Sequence, residues 1–267
     1  MKRHTALPLL IVLVMGLGLG CQAAKNSMAT TAPAPGRTSP LAGASQLVLV
    51  VAEDWNTDHA RLRRFERSEP NGTWHPVGGD VPVSLGRNGL AWGRGLHGER
   101  LSAAPVKAEG DGRAPAGVFS LPLAFAGPSE SSWSSPKFPV YRVTAQTVCV
   151  DTVASKHYNQ MFEENTADKD WKSEERMLRP DGLYRYGLFV DHNAPSAAPD
   201  AGSCIFLHLW RGPGAPTAGC TAMAEPNLRA ILDWLDATKK PLLVQLPREE
   251  LLRLAPVWGA PELAATQ

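Results

Sequence analysis

The sequence predicts a single, mainly β domain with short helices. Three observations carry this: the apolar segments are short, the 24 Gly and 23 Pro punctuate them, and one segment alone keeps a clear helical period. Residues 46–247 have the length of one domain with enough apolar residues for a single core, and no internal repeat is visible.

Lys2, Arg3 and His4 form a basic head, and the apolar run from Ala6 to Leu19 stops at Gly20-Cys21. Residues 1–20 therefore read as a secretory signal peptide. The run is too short to cross a bilayer, which takes roughly 20 apolar residues. The string Leu17-Gly18-Leu19-Gly20-Cys21 resembles a bacterial lipobox, with Gly18 where Leu is usual. That resemblance implies lipidation at Cys21, and Gln22 after it implies the outer membrane, with acyl chains tethering the protein to the membrane surface. Ordinary cleavage to a soluble exported protein is the alternative. Residues 21–45, Ala-, Thr-, Ser- and Pro-rich after the cysteine, read as a disordered linker.

Within the domain, Gln46 to Ala52 reads as a strand, and Gly117 to Leu121 as another, entered through the turn Gly110-Asp111-Gly112. Tyr141 to Thr152, Leu183 to Asp191 and Cys204 to Trp210 are further strand candidates. Asp168 to Met177 reads as a short helix. Leu228, Ile231, Leu232 and Leu235 fall at helical spacing behind Pro226, which suits a first turn. A strand from Pro241 to Leu246 follows. Residues 248–267, with Leu251, Leu252 and Leu254, read as a short terminal helix and tail.

Charge excludes one class of partner. Loss of residues 1–20 leaves 25 Lys+Arg against 26 Asp+Glu, a side-chain charge of −1. Nucleic-acid binding needs a basic stripe, so no nucleic-acid partner is expected. Neither Cys-x-x-Cys nor His-Glu-x-x-His occurs, so no metal and no cofactor is expected. With Cys21 assigned to lipid, Cys149, Cys204 and Cys220 remain in a compartment that permits disulfides. An odd thiol there is a liability unless its reactivity is used.

The chemistry concentrates in Gly202 to Met223. His208 shares a strand face with Phe206 and Trp210, and the Gly/Pro loop from Arg211 to Pro216 returns the chain toward Cys220. A thiol attacks an amide carbonyl as thiolate, and a nearby imidazole supplies the base. Gly219 leaves room beside the nucleophile, and backbone N–H groups around Gly219 to Thr221 are candidates for binding an oxyanion.

His208, the loop, then Thr217-Ala218-Gly219-Cys220 and Met223 resemble the catalytic motif of the L,D-transpeptidases of the YkuD type. Gly110-Asp111-Gly112-Arg113-Ala114-Pro115-Ala116-Gly117-Val118-Phe119 resembles the family's upstream turn and strand. The strings His157-Tyr158-Asn159, Asp181 to Gly187 and Asp191-His192-Asn193 resemble one branch of it. The resemblance covers roughly Gln46 to Leu246 and implies the L,D-transpeptidase catalytic-domain fold, with Cys220 as nucleophile and His208 as base. Three positions depart from the common pattern: Leu209, Ala218 and Ala222, the last removing a partner for a stem-peptide carboxylate.

His192 competes for the role of base or substrate contact, and His157 reads as structural or as a rim residue. Asp191 and Asp151 invite a triad reading, but the family's base is usually oriented by a backbone carbonyl, which leaves Thr217 as the orienting candidate. Trp210, Tyr186 and Arg211, with His192, are the expected substrate contacts. Cys149 and Cys204, both in extended segments, are expected to pair and leave Cys220 free.

The expected function is a peptidoglycan L,D-transpeptidase acting through a cysteine acyl-enzyme on stem peptides in the cell envelope. A carboxypeptidase or amidase with the same site, and a non-catalytic envelope-binding protein, are the alternatives. A papain-like protease is disfavoured because His208 precedes Cys220.

Overall fold

The computed structural model describes residues 39–69, 72–98 and 102–261. The signal peptide, Cys21 and the linker to residue 38 lie outside them. Among the described residues are fourteen strands: β1 Gln46–Ala52, β2 His59–Glu66, β3 His75–Ser84, β4 Leu90–Trp92, β5 Ala114–Ser120, β6 Ala124–Ala126, β7 Val140–Arg142, β8 Thr147–Val150, β9 Met161–Glu163, β10 Glu174–Arg176, β11 Tyr186–Phe189, β12 Phe206–Leu209, β13 Thr221–Met223 and β14 Leu242–Pro247. Two α-helices are present, α1 Glu225–Trp234 and α2 Arg248–Trp258.

Eleven strands form one sheet in the order β4-β5-β14-β1-β2-β3-β13-β12-β11-β6-β7, and β10-β8-β9 form a second. β1 is nearly continuously apolar because it lies inside the large sheet, parallel to β14 (Leu47↔Leu242 through Ala52↔Pro247) and antiparallel to β2. A strand covered on both faces gains from burying every side chain, which hides the alternation of a half-exposed strand. α1 buries Leu228, Ile231 and Leu232, with Pro226 in its first turn where a missing N–H costs nothing. α2 ends at Gly259, whose left-handed backbone (φ +65°) a residue with a Cβ rarely adopts.

The structure corrects several sequence expectations. Residues 168–177 hold no helix; they lead into β10, whose Glu174, Glu175 and Arg176 pair with Val150, Cys149 and Val148 of β8. Glu174 pairs with Lys169 and Arg176 of its own segment, and Arg176 with Glu164 just after β9, so these charges are paired with one another rather than forming a solvated helix face. The segment Tyr141 to Thr152 divides into β7 and β8, in different sheets. The core also extends beyond 46–247: Leu41 and Ala44 join it from one side, and Leu251, Leu254 and Trp258 of α2 from the other.

Candidate active site

β12 and β13 run parallel, with His208 opposite Ala222 and Leu207 opposite Thr221. Cys220 is the residue before β13, so this pairing brings Cys220 beside β12 although 12 positions separate it from His208. Both side chains line one cleft of about 340 Å³, a size typical of small-ligand sites.

The loop before Cys220 is fixed from two sides. Thr217 N–H donates to the Leu85 carbonyl and the Thr217 carbonyl accepts from Arg87 N–H, tying the loop beside β3. Thr217 Oγ1 donates to the Cys220 carbonyl (2.6 Å) and accepts from Gly219 N–H (3.1 Å). The hydroxyl thus shapes the Gly-Cys turn and does not touch His208. A Cβ on Gly219 would come within 3.0 Å of the Arg113 carbonyl oxygen. The small residue is needed where the turn of residues 110–113 backs the cysteine loop, so the two separated motifs meet in space. Asp111 braces that turn, accepting from Arg113 N–H, Ala108 N–H and Lys107 Nζ.

His208 is 6 % exposed, and its Nδ1–H donates to the Leu209 carbonyl at 2.7 Å. A carbonyl only accepts, so this bond assigns the proton to Nδ1 and leaves the lone pair on Nε2. Tyr184 packs edge-on against the ring at 5.0 Å between centroids. Burial pulls the imidazole pKa down to about 4, with Arg179 and Arg211 adding to the shift against the Leu209 hydrogen bond and Asp181. Burial pushes the Cys220 thiol up to about 12, helped by the charge of Glu175 and opposed by Phe206 N–H. At neutral pH both groups are uncharged.

The thiol faces Cys204 and Phe206: Sγ accepts from Phe206 N–H at 3.3 Å and donates to the Cys204 carbonyl at 3.6 Å. No hydrogen bond joins it to His208, which is common before substrate tightens such a pair. Cys204 holds a left-handed backbone, φ +54°, unusual for a residue with a Cβ. Its N–H donates to Asn159 Oδ1, and its sulfur is bonded to Cys149 with the Cα atoms 5.9 Å apart. Cys220 is the free cysteine among the described residues.

Gly219 N–H is spent on Thr217, which removes it from the expected oxyanion donors. Among the described residues no acceptor takes Ala218 N–H or Cys220 N–H, and both residues line the cleft. Trp210, Arg211 and Ala222 line it too.

His192 and Tyr186 do not. His192 is fully buried, with Nε2–H donated to Ala201 and Nδ1 accepting from Arg94 N–H, so it has no lone pair for a substrate proton. Tyr186 is buried between Glu130 and Arg229. Asp191 accepts from Ser120 and does not reach His208. The cleft adds Glu109, Asp151, Glu175, Arg179, Tyr184 and Ser203. Of these, sequence reasoning weighed Asp151 only as a triad member and left out the others. Tyr184 lay inside a quoted motif, but it precedes β11, so strand alternation gives no hint of where it points.

A sequence model of the L,D-transpeptidase catalytic domain, YkuD, matches residues 54–244. The chain belongs to this family, whose activity is a transfer reaction in peptidoglycan biosynthesis in the cell envelope. Searches of curated proteins and of solved structures found no match.

Proposed function

We propose that the protein is an L,D-transpeptidase that works through a Cys220 acyl-enzyme on peptidoglycan stem peptides. The observation that carries this is the pairing, in one cleft, of the free Cys220 with an imidazole whose tautomer presents Nε2 as a base. As the carbonyl ahead of the terminal D-Ala arrives, the thiol proton passes to His208 Nε2 and sulfur bonds to carbon. The oxyanion draws on Ala218 and Cys220 N–H. The C–N bond then breaks, His208 returns its proton to the leaving amine, and the acyl group stays as a thioester. An acceptor amine releases it. A neutral resting pair suits this order, because the proton moves only when a carbonyl is present to receive the electrons.

Trp210 and Arg211, at the mouth of the cleft, are the substrate contacts we retain. The layout of residues 1–21 supports export and lipidation at Cys21, which places the domain at the membrane surface facing peptidoglycan. Loss of radiolabelled palmitate from a Cys21→Ser protein expressed in a bacterial host tests that part.

The test of the site is intact-mass detection of a thioester with a disaccharide-tetrapeptide. Cys220→Ala abolishes the adduct, and His208→Ala slows its formation by about 10²–10⁴-fold. Wild-type turnover by folded Cys220→Ala protein would overturn the mechanism.

A further inference from the structure

A buried cation takes no part in the steps above. Lys107 is 6 % exposed, and its ammonium donates to Asp111 Oδ1 at 2.6 Å and to the Ala108 carbonyl at 2.7 Å. Lysine is almost never fully buried unless paired, because taking an ammonium out of water is costly. A pair kept in the interior is therefore better explained by what it holds in place than by the stability it adds. The backbone is anchored as well: Lys107 N–H donates to the carbonyl of Trp92, the last residue of β4, so the side chain starts from a fixed point.

Two loops hold Cys220, and Lys107 touches both. On one side, Asp111 takes Lys107 Nζ together with the Ala108 and Arg113 N–H groups, closing the turn whose Arg113 carbonyl stands against Gly219. On the other, a Cβ on Gly202 would come within 3.1 Å of Lys107 Cε and 3.2 Å of Cγ, so the lysine stem lies directly on that glycine. Gly202 leads through Ser203 to Cys204, whose carbonyl receives the Cys220 thiol. Residues 202–205 belong to no strand. Side chains hold them instead, with Gly202 N–H donating to Tyr158 Oη and Cys204 N–H to Asn159 Oδ1. Glu109, two residues beyond Lys107, joins the same loops again: its N–H donates to the Asp200 carbonyl and its carboxylate accepts from Ser203.

We propose that Lys107 is a positioning residue for Cys220: paired with Asp111 and lying on Gly202, it clamps the turn against Gly219 to the segment whose Cys204 carbonyl orients the thiol. Its effect on acylation rests on the acyl-enzyme reading above; its effect on the thiol does not. Sulfur attacks along a narrow range of directions, so a thiol whose two supporting loops drift apart spends less time aimed at the carbonyl. Charge acts in the same direction. Burial and the Glu175 charge hold the Cys220 thiol up, while Phe206 N–H and the Lys107 charge pull it down. As the thiol proton leaves for His208, a cation whose field reaches the sulfur eases the step.

The experiment follows two reactions of the full-length protein: acylation by a disaccharide-tetrapeptide, read by intact mass, and alkylation of Cys220 by iodoacetamide, read by peptide mapping. The second needs the thiol but no acyl-enzyme. Lys107→Met keeps an apolar stem on Gly202 and leaves Asp111 its Ala108 and Arg113 N–H donors, so the fold is expected to hold, with circular dichroism as the check. Its maximal acylation rate falls about 10–10²-fold, the scale of a displaced reacting group, with the half-saturating concentration unchanged, and alkylation slows with it. Lys107→Arg recovers part of both rates, which a packing defect would not allow, since Arg fits the space less well than Met. If Lys107→Met does not fold, the nearly isosteric Asp111→Asn breaks the same ion pair from its other end and gives the same two losses. Wild-type rates in both reactions, equal losses in the Met and Arg variants, or a raised half-saturating concentration at an unchanged rate overturns the positioning role and leaves the acyl-enzyme reading intact. Absence of any thioester in the wild-type protein, with alkylation still slowed in Lys107→Met, overturns that reading and upholds the action of Lys107 on the thiol.

Discussion

At His208 the environment decides the chemistry more than the residue type does. An exposed imidazole titrates near 6.5, but burial holds this one near 4. A base acts only when neutral, so free His208 stays competent down to about pH 4 and the acid limb of kcat/KM is expected near there rather than near 6.5. A pH profile of acylation at low substrate checks this; a break near 6.5 would show that the ring is more hydrated than its burial implies. At Thr217 the hydroxyl holds the Gly-Cys turn, so Thr217→Ser keeps the bonds to Cys220 and Gly219. Thr217→Val loses both and is expected to cost about 1–3 kcal/mol, read as a drop in urea midpoint together with slower acylation. That Cys220 and His208 meet in one cleft was legible because a Gly/Pro loop between them returns the chain. The choice among Thr217, Asp151 and Asp191 as orienter was not, since the actual acceptor is the Leu209 carbonyl, and a backbone group leaves no mark on side-chain sequence. Tyr186 and His192 were misread for a related reason: a polar side chain satisfied inside the core has the same letter as one satisfied by substrate.

The elements show which patterns survive translation into structure. β1, β14 and α1 stand where apolar runs and helical spacing put them, because burial runs along almost all of β1 and β14 and follows the helical period in α1. β2 and β3 were not anticipated: Arg61, Arg63 and Arg64 of β2 look like loop charges until Arg63 is seen paired with Asp80 across the hairpin. β10 lies in the segment read as a helix, Asp168 to Met177; three successive charges carry no strand period, and its identity comes from pairing with β8. The Cys149–Cys204 link joins β8 of the small sheet to the segment leading into β12, and through the Cys204 carbonyl it touches the Cys220 thiol. Closing a loop of 55 residues is worth about 4 kcal/mol by chain entropy. Cys149→Ser is accordingly expected to lower thermal stability and also to slow acylation, because it frees the carbonyl that orients the thiol. Stability lost with acylation unchanged would confine the disulfide to a structural role.

For the molecule as a whole, a core threaded by buried histidines makes stability depend on pH. His97, His192 and His208 are each under 10 % exposed, and burial depresses all three; His192 and His208 fall to about 4. His97 and His192 both pack edge-on against Phe119, so a proton placed on either would sit in the central packing. In the unfolded chain each ring titrates near 6.5. Between that value and about 4 the unfolded state binds protons that the native state refuses, so folding stability falls as pH drops through this window. Above 6.5 neither state is protonated at these sites and their contribution is complete. A depression of this size corresponds to about 3 kcal/mol for each of His192 and His208 once the pH is below both values. Against a total stability of about 5–15 kcal/mol, the loss is large enough to dominate acid denaturation. Urea unfolding at pH 7.5 and 5.0 is expected to show a lower midpoint at the acid pH, with the slope against denaturant unchanged. His192→Gln in part removes the dependence, because the amide can accept from Arg94 N–H and donate to Ala201 without titrating. Equal midpoints at the two pH values in the wild-type protein would mean that the histidines take up protons in the folded state, which their burial argues against.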